Sequence, residues 1–350
     1  MHRNAVIIFA LSLVLCTCGR RQPQPEGVVG EKRLPATPVK DQGESHLGSL
    51  YAMVATIETE HLIWGDSVNL STAYLVRAWS REKALRHYLS RGDANQNARC
   101  TAATAIHLLH AYGIYPYDSY VGVDGFQQSV LERKLKTVTD AAILHRVGLE
   151  VLSSRLEEAL DRAMGYLPGG NVHFLGVDYT PTEFARSVCA PDEYLRLVSY
   201  SRLPHGEVTT ATPDIGGSTL LRYVETRNLP LDSLVTHVRR ALEKGHPVCW
   251  EGDTTNQDFI QRKGTWVTTA TASSDGKEQQ VMRQRAYENF SLTIDHAFAI
   301  VGVVRSGKET YFRCKNSQGN GWGDAGYIYL SESYLRKYTM AVTMTHTAFL

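Results

Sequence analysis

The chain has 350 residues, 43% of them hydrophobic and 21% charged, enough for one large or two moderate domains around a sizeable core. With 37 basic and 36 acidic side chains the net charge is +1, and no clustered excess of base marks a nucleic-acid surface. No metal-ligand spacing, phosphate-binding glycine loop or coenzyme signature occurs, so neither metal nor cofactor is expected.

Arg3 precedes a short apolar run, Ala5 to Leu15, too short to cross a bilayer and suited to the core of a signal peptide. The run ends in Leu15-Cys16-Thr17-Cys18-Gly19, which resembles a bacterial lipobox: an aliphatic residue at −3, a small one at −1, then the cysteine that receives lipid. Cys18 fits better than Cys16, whose preceding neighbour Leu15 is bulky; secretion with nearby cleavage and no lipid is the alternative. Residues 1–18 are therefore expected to be a lipoprotein signal peptide, 19–36 a flexible tether, and 37–350 the folded domain. Such a protein is held at a bacterial membrane through Cys18, on the periplasmic or cell-surface side.

Residues 37–60 read TPVKDQGESHLGSLYAMVATIETE, with a helix expected from Gly48 through Glu58. Leu70-Ser71 opens a second helical stretch carrying Leu75, Ala78, Trp79, Ala84 and Leu85, interrupted at Gly92-Asp93. A third runs from Thr101 to Tyr112, stopped by Gly113 before Pro116. Thr180-Pro181-Thr182-Glu183 has the form of a capping box and predicts a short helix to Val188. Leu231 to Lys244 is a further helix, ended by Gly245. Strands follow at Pro247 to Trp250, Ala297 to Val304, Thr310 to Lys315, Gly326 to Leu330 and Met340 to His346, so the fold class is α+β. Cys100, Cys189, Cys249 and Cys314 contain no Cys-x-x-Cys pair, and no disulfide is assigned; Cys249 and Cys314 lie in apolar runs and read as buried small hydrophobes.

Three segments together resemble the papain-like cysteine peptidases. Gln42 lies six residues before Gly48 and Glu58 ten after it, the places of the oxyanion glutamine and a helix glutamate around a nucleophilic cysteine. Thr293-Ile294-Asp295-His296-Ala297-Phe298-Ala299-Ile300-Val301-Gly302 matches the histidine strand, and Lys315-Asn316-Ser317 with Gly319, Gly321-Trp322-Gly323 and Gly326-Tyr327-Ile328 matches the asparagine segment. The gapless register puts Gly48 at the nucleophile. Aligning Gly48-Ser49-Leu50-Tyr51-Ala52 with the Gly-Ser-Cys-Trp-Ala run would put Leu50 there, but two residues deleted from the helix would turn its buried face by about 200°. Neither register supplies a cysteine.

His296 and Asn316 follow Gly48 by about 250 and 270 residues, whereas cathepsin-type enzymes place them roughly 130 to 150 after the cysteine. The extra length resembles the helical insertions of the bleomycin hydrolase and aminopeptidase C family, as do Tyr112-Gly113-Ile114-Tyr115-Pro116, Tyr179-Thr180-Pro181 and Gly245-His246-Pro247-Val248. What the resemblance implies is a papain-like fold, a helical lobe against an antiparallel barrel-like lobe. It implies also a vestigial set of His296, Asn316 and Gln42 without the nucleophile. Ser49 stands where a tryptophan follows the cysteine, and Gln318 where a tryptophan shields the Asn–His bond.

The expected function is that of an inactive peptidase homologue which binds a peptide or protein partner in the old cleft. Two others remain open: weak or redirected hydrolysis by an unrecognised nucleophile, and a surface or assembly role in which the cleft is irrelevant. Members of the family form rings, so homo-oligomerisation is implied as well, although a lipid anchor constrains it. A glycine at 48 would also leave room for an anion at the helix N-terminus, between Gln42 and a protonated His296.

Overall fold

The computed structural model describes residues 28–93, 99–209, 224–260, 265–269 and 276–350; the expected signal peptide, Cys18 and the first part of the tether lie outside them. The chain opens with β1 (Val28–Arg33), followed by α1 (Gly48–Ile63), α2 (Thr72–Leu89) and α3 (Ala102–Tyr112). Then come α4 (Gln128–Leu144), α5 (Leu149–Met164), the hairpin β2 (Val172–Phe174) and β3 (Val177–Tyr179), and α6 (Pro181–Val188). The second half carries β4 (Tyr194–Val198), β5 (Glu225–Asn228), α7 (Leu231–Lys244), β6 (Val248–Gly252), α8 (Gln257–Ile260), β7 (Trp266–Val267) and α9 (Gly276–Glu288). It closes with β8 (His296–Ser306), β9 (Glu309–Lys315), β10 (Tyr327–Ser331), α10 (Glu332–Tyr338), β11 (Thr339–Thr345) and α11 (His346–Phe349).

Local chemistry sets the helix starts. The hydroxyls of Ser71, Thr101 and Thr180 each accept from the backbone amide three residues on, at 3.1, 3.3 and 3.2 Å, and Glu183 returns the bond to Thr180 at 2.8 Å. Each of these satisfies one of the amides that a helix start leaves without a partner. α7 ends where Gly245 takes a left-handed conformation at φ 106°, which a side chain disfavours.

Nine strands form one sheet in the order β5-β4-β11-β6-β8-β9-β10-β7, with β1 on β8. Most pairs are antiparallel, as expected, but the two ends are not: β4–β5 and β10–β7 are parallel. The tether expectation also needs correction. Residues 28–33 are not tether but a strand, pairing Val28 with Ser306 through Arg33 with Gly302, and Leu34 beyond it is buried. A Cβ on Gly302 would lie 2.7 Å from the Lys32 carbonyl oxygen, so the bare glycine is what lets β1 dock.

Two apolar cores flank α1. One joins α1 to α6, with Leu50, Met53, Ile57, Leu75, Leu108, Leu156 and Phe184 fully enclosed; the other lies between α7 and the sheet, around Val238, Trp250, Phe298 and Phe312. Because it is covered on both sides, α1 is buried almost all round, including Thr56, Glu58 and Thr59. Its N-terminus is thereby fixed against the start of β8. The sequence reading assigns no element to α4 and α5, although Leu131, Leu135 and Ala142, then Leu152, Leu156 and Leu160, carry helical spacing and are all buried.

Candidate active site

Gly48 is the first residue of α1, buried, and preceded by Leu47, which offers no side-chain cap. A Cβ built on Gly48 would stand 2.7 Å from His296 Nδ1, 3.1 Å from its Cε1 and 3.4 Å from the Ala297 amide nitrogen. The structure thus brings together the two residues that the gapless register pairs. It also places the imidazole over the glycine, so that a Cβ there would fall inside ordinary contact distance of the ring.

His296 opens β8, where Gly252 of β6 is its antiparallel partner, and its ring meets Phe298 edge-on at 4.8 Å. Its Nε2 lies 2.7 Å from Asn316 Oδ1. A carbonyl oxygen can only accept, so Nε2 carries the proton and, in the neutral ring, Nδ1 presents a lone pair toward Gly48. Burial lowers the imidazole pKa below its ordinary value, against the opposing pull of the Asn316 hydrogen bond and the nearby Asp295 carboxylate. Neutral is the favoured form at neutral pH.

Asn316 is buried just after β9 and held twice, its amide donating to the Gly326 carbonyl at 2.9 Å and its Nδ2 to Gln318 Oε1 at 3.3 Å. Gln318 is exposed, so it shields less than a tryptophan would, yet it contributes a bond that orients Asn316. Gln42 faces the same segment. Its amide donates to the Ser317 carbonyl at 2.8 Å, its Oε1 accepts from Ser317 Oγ at 2.6 Å, and its Nε2 donates to the Ser45 carbonyl at 2.5 Å. One of its two side-chain N–H donors is therefore committed inside the loop.

Beneath the site lies a buried polar cluster. Glu58 accepts from Lys40 Nζ, from the Leu70 amide at 2.7 Å and from Thr37 Oγ1 at 2.5 Å, while Lys315 Nζ donates to Thr37 Oγ1 at 2.8 Å. Burial pulls the Lys315 ammonium down to about 8, with Glu58 opposing and Lys40 reinforcing the shift. These contacts tie residues 37–42, α1 and β9 together, which fixes Gln42, Gly48 and Asn316 relative to one another.

The cleft in front of His296 has a volume of about 630 Å³ and is lined by Leu47, Trp79, Cys100, Asp295, Gln318 and Trp322 among others. Sequence reasoning missed two parts of it. Asp295 is clamped by the amides and hydroxyls of Thr254 and Thr255 at 2.8 to 3.0 Å, a partnership no local motif announces. Gln128 and Glu132, joined at 3.0 Å, come from α4, whose periodicity would have revealed them. Cys100, Cys189, Cys249 and Cys314 are all free and buried, and burial pushes each thiol up. Among the described residues no cysteine has the depressed pKa of an activated thiolate.

Comparison with known proteins agrees with this geometry. The sequence pattern of the Peptidase C1-like family matches residues 179–349, a span that includes both His296 and Asn316. PepW from Lactobacillus rhamnosis HN001 superposes with a TM-score of 0.63 at 15% identity, covering 94% of this chain and 83% of that one. The fold is papain-like, and the Peptidase C1-like pattern falls on its second half. Procathepsin L 3 of Tenebrio molitor larval midgut (TM-score 0.43, 17% identity, 93% of this chain and 71% of that one) also matches. So does a structure from a study of the mite allergens Blo t 1 and Der p 1 (0.45, 13%, 95% and 73%). No curated protein matches the chain. In papain-like terms, the matched pattern includes the histidine strand and the asparagine segment, whereas Gln42 and Gly48 precede it.

Proposed function

We propose that the protein is a non-cleaving papain-like homologue of the bleomycin hydrolase and aminopeptidase C branch, anchored by lipid at Cys18, that binds peptide or protein segments in its cleft. One observation carries this reading: the residue facing Nδ1 of the Asn316-oriented imidazole is a glycine. Acyl transfer needs an atom there to attack the carbonyl, and glycine has none beyond its backbone. Loss of the nucleophile from a comparable hydrolytic triad costs about a million-fold in turnover. The cleft of about 630 Å³ remains, with polar and aromatic walls suited to holding an extended chain.

The experiment is an assay of the purified protein against aminoacyl and peptidyl reporter substrates, alongside an active-site thiol probe. Neither turnover above buffer nor labelling is expected. Labelling that a peptide aldehyde blocks, or turnover lost in His296→Ala, overturns the proposal in favour of a hydrolase with another nucleophile.

A further inference from the structure

Two residues that line the cleft each carry a buried side-chain oxygen with no hydrogen-bond partner among the described residues: Ser45 Oγ and Gln128 Oε1. A hydroxyl can donate or accept, so Ser45 selects no ligand chemistry. Gln128 is more particular. It is the first residue of α4, only 9% exposed, and its Nε2 donates to Glu132 Oε1 one turn further on at 3.0 Å. Turning the amide round would point an oxygen at a carboxylate, so Oε1 is fixed as an acceptor that lacks a donor. Native proteins leave few buried acceptors in that state.

The charges nearby decide which donor suits it. Glu132 Oε1 also accepts from Lys83 Nζ at 2.9 Å, Lys83 lies 5.9 Å from the centre of the Trp79 ring, and exposed Arg99 adds a second cation to the cleft lining. Of the other charged groups lining the cleft, Asp295 is taken up by Thr254 and Thr255, while exposed Glu44 and His46 belong to the loop before Gly48. An ammonium group at Gln128 would therefore meet Lys83 and Arg99 with one carboxylate between them. A neutral N–H needs only the carbonyl, and an extended peptide offers one at each residue.

We propose that Gln128 is a recognition residue of the cleft, its Oε1 accepting a main-chain N–H from an internal residue of the bound peptide. The assignment rests on the peptide-binding reading above and narrows it: the segment is read along its backbone at α4, and no free amino terminus is needed there.

Full-length protein is presented with octapeptide libraries in two forms, free and acetylated at the N-terminus, and each retained sequence is resynthesised with one backbone nitrogen methylated at a time. Acetylated peptides should bind as tightly as free ones. Methylation at one position should weaken binding to the wild type about tenfold, the loss of one hydrogen bond, and binding to Gln128→Met by less than about twofold. Methionine keeps the length of the side chain without the acceptor; Gln128→Asn, too short to keep both contacts, should give the same pattern and stands in if Gln128→Met does not fold. Equal penalties in wild type and variants, or a uniform weakening of every peptide by the variants, would mean that Gln128 only supports α4, and overturns the proposal while peptide binding stands. Retention of free-amine peptides alone overturns it in favour of an ammonium site. No retained peptide in either form removes the peptide-binding reading, and the proposal with it.

Discussion

A methyl group at residue 48 should destabilise the protein, although replacing glycine by alanine in a helix ordinarily stabilises it by about 1 kcal/mol. The added Cβ would stand 2.7 Å from His296 Nδ1, where ordinary contact begins near 3.4 Å, so the ring must withdraw by about 0.7 Å. It is not free to do so. Nε2 is held to Asn316 at 2.7 Å and the ring abuts Phe298 at 4.8 Å. Overpacking of this kind costs about 1–3 kcal/mol, so after the helix gain the net loss for Gly48→Ala should reach up to about 2 kcal/mol, read as a lower urea midpoint at unchanged slope. Gly48→Cys carries the same overlap, and the imidazole it meets is disposed to stay neutral, so it lends little to ionising a thiol. Its alkylation should accordingly rise with a midpoint near or above the ordinary thiol value of about 8.5. A stabilised Gly48→Ala, or a Gly48→Cys thiol that titrates well below 6 and turns over substrate, would refute the packing argument.

Other consequences follow from the same geometry. Lys315 binds fewer protons folded, with its pKa at about 8, than unfolded near 10.4, so stability should rise with pH between about 8 and 10. The gain is about 2–3 kcal/mol, and Lys315→Met should abolish that slope in denaturation curves taken across the window. His296 has its pKa lowered by burial, so its contribution is complete above the unfolded value of about 6.5 and is lost as pH falls through the folded one. Asn316→Ala, by removing the bond that opposes the shift, should lower the imidazole titration further in NMR; a rise would show that burial is not its cause. Gly302→Ala should detach β1, seen as faster hydrogen exchange across residues 29–33, and unchanged protection would mean that the 2.7 Å approach to Lys32 is easily relaxed.

Much of the site was legible because its signals are local. Capping residues fixed the starts of α2, α3 and α6; His296 bonds Asn316 and faces Gly48, and Gln42 bonds Ser317, the residue after Asn316. β4 was harder, since Tyr194 to Val198 is buried at every position and has no alternation to betray a strand. β1 combines a glycine with charges and reads as linker; only its partner β8 makes it a strand. The placement of the imidazole over Gly48 is tertiary throughout. Nothing in the order of residues says how close the ring will stand to the glycine.

The most direct measurement of the central claim is to hold the protein with a stoichiometric library of soluble peptides and follow both binding and integrity by mass spectrometry. Some peptides should be retained saturably, lost on occluding the cleft by labelling Glu44→Cys, and recovered intact after prolonged incubation. Peptides that return cleaved at a rate abolished by His296→Ala, or no retention of any peptide, would contradict a cleft that binds without cutting.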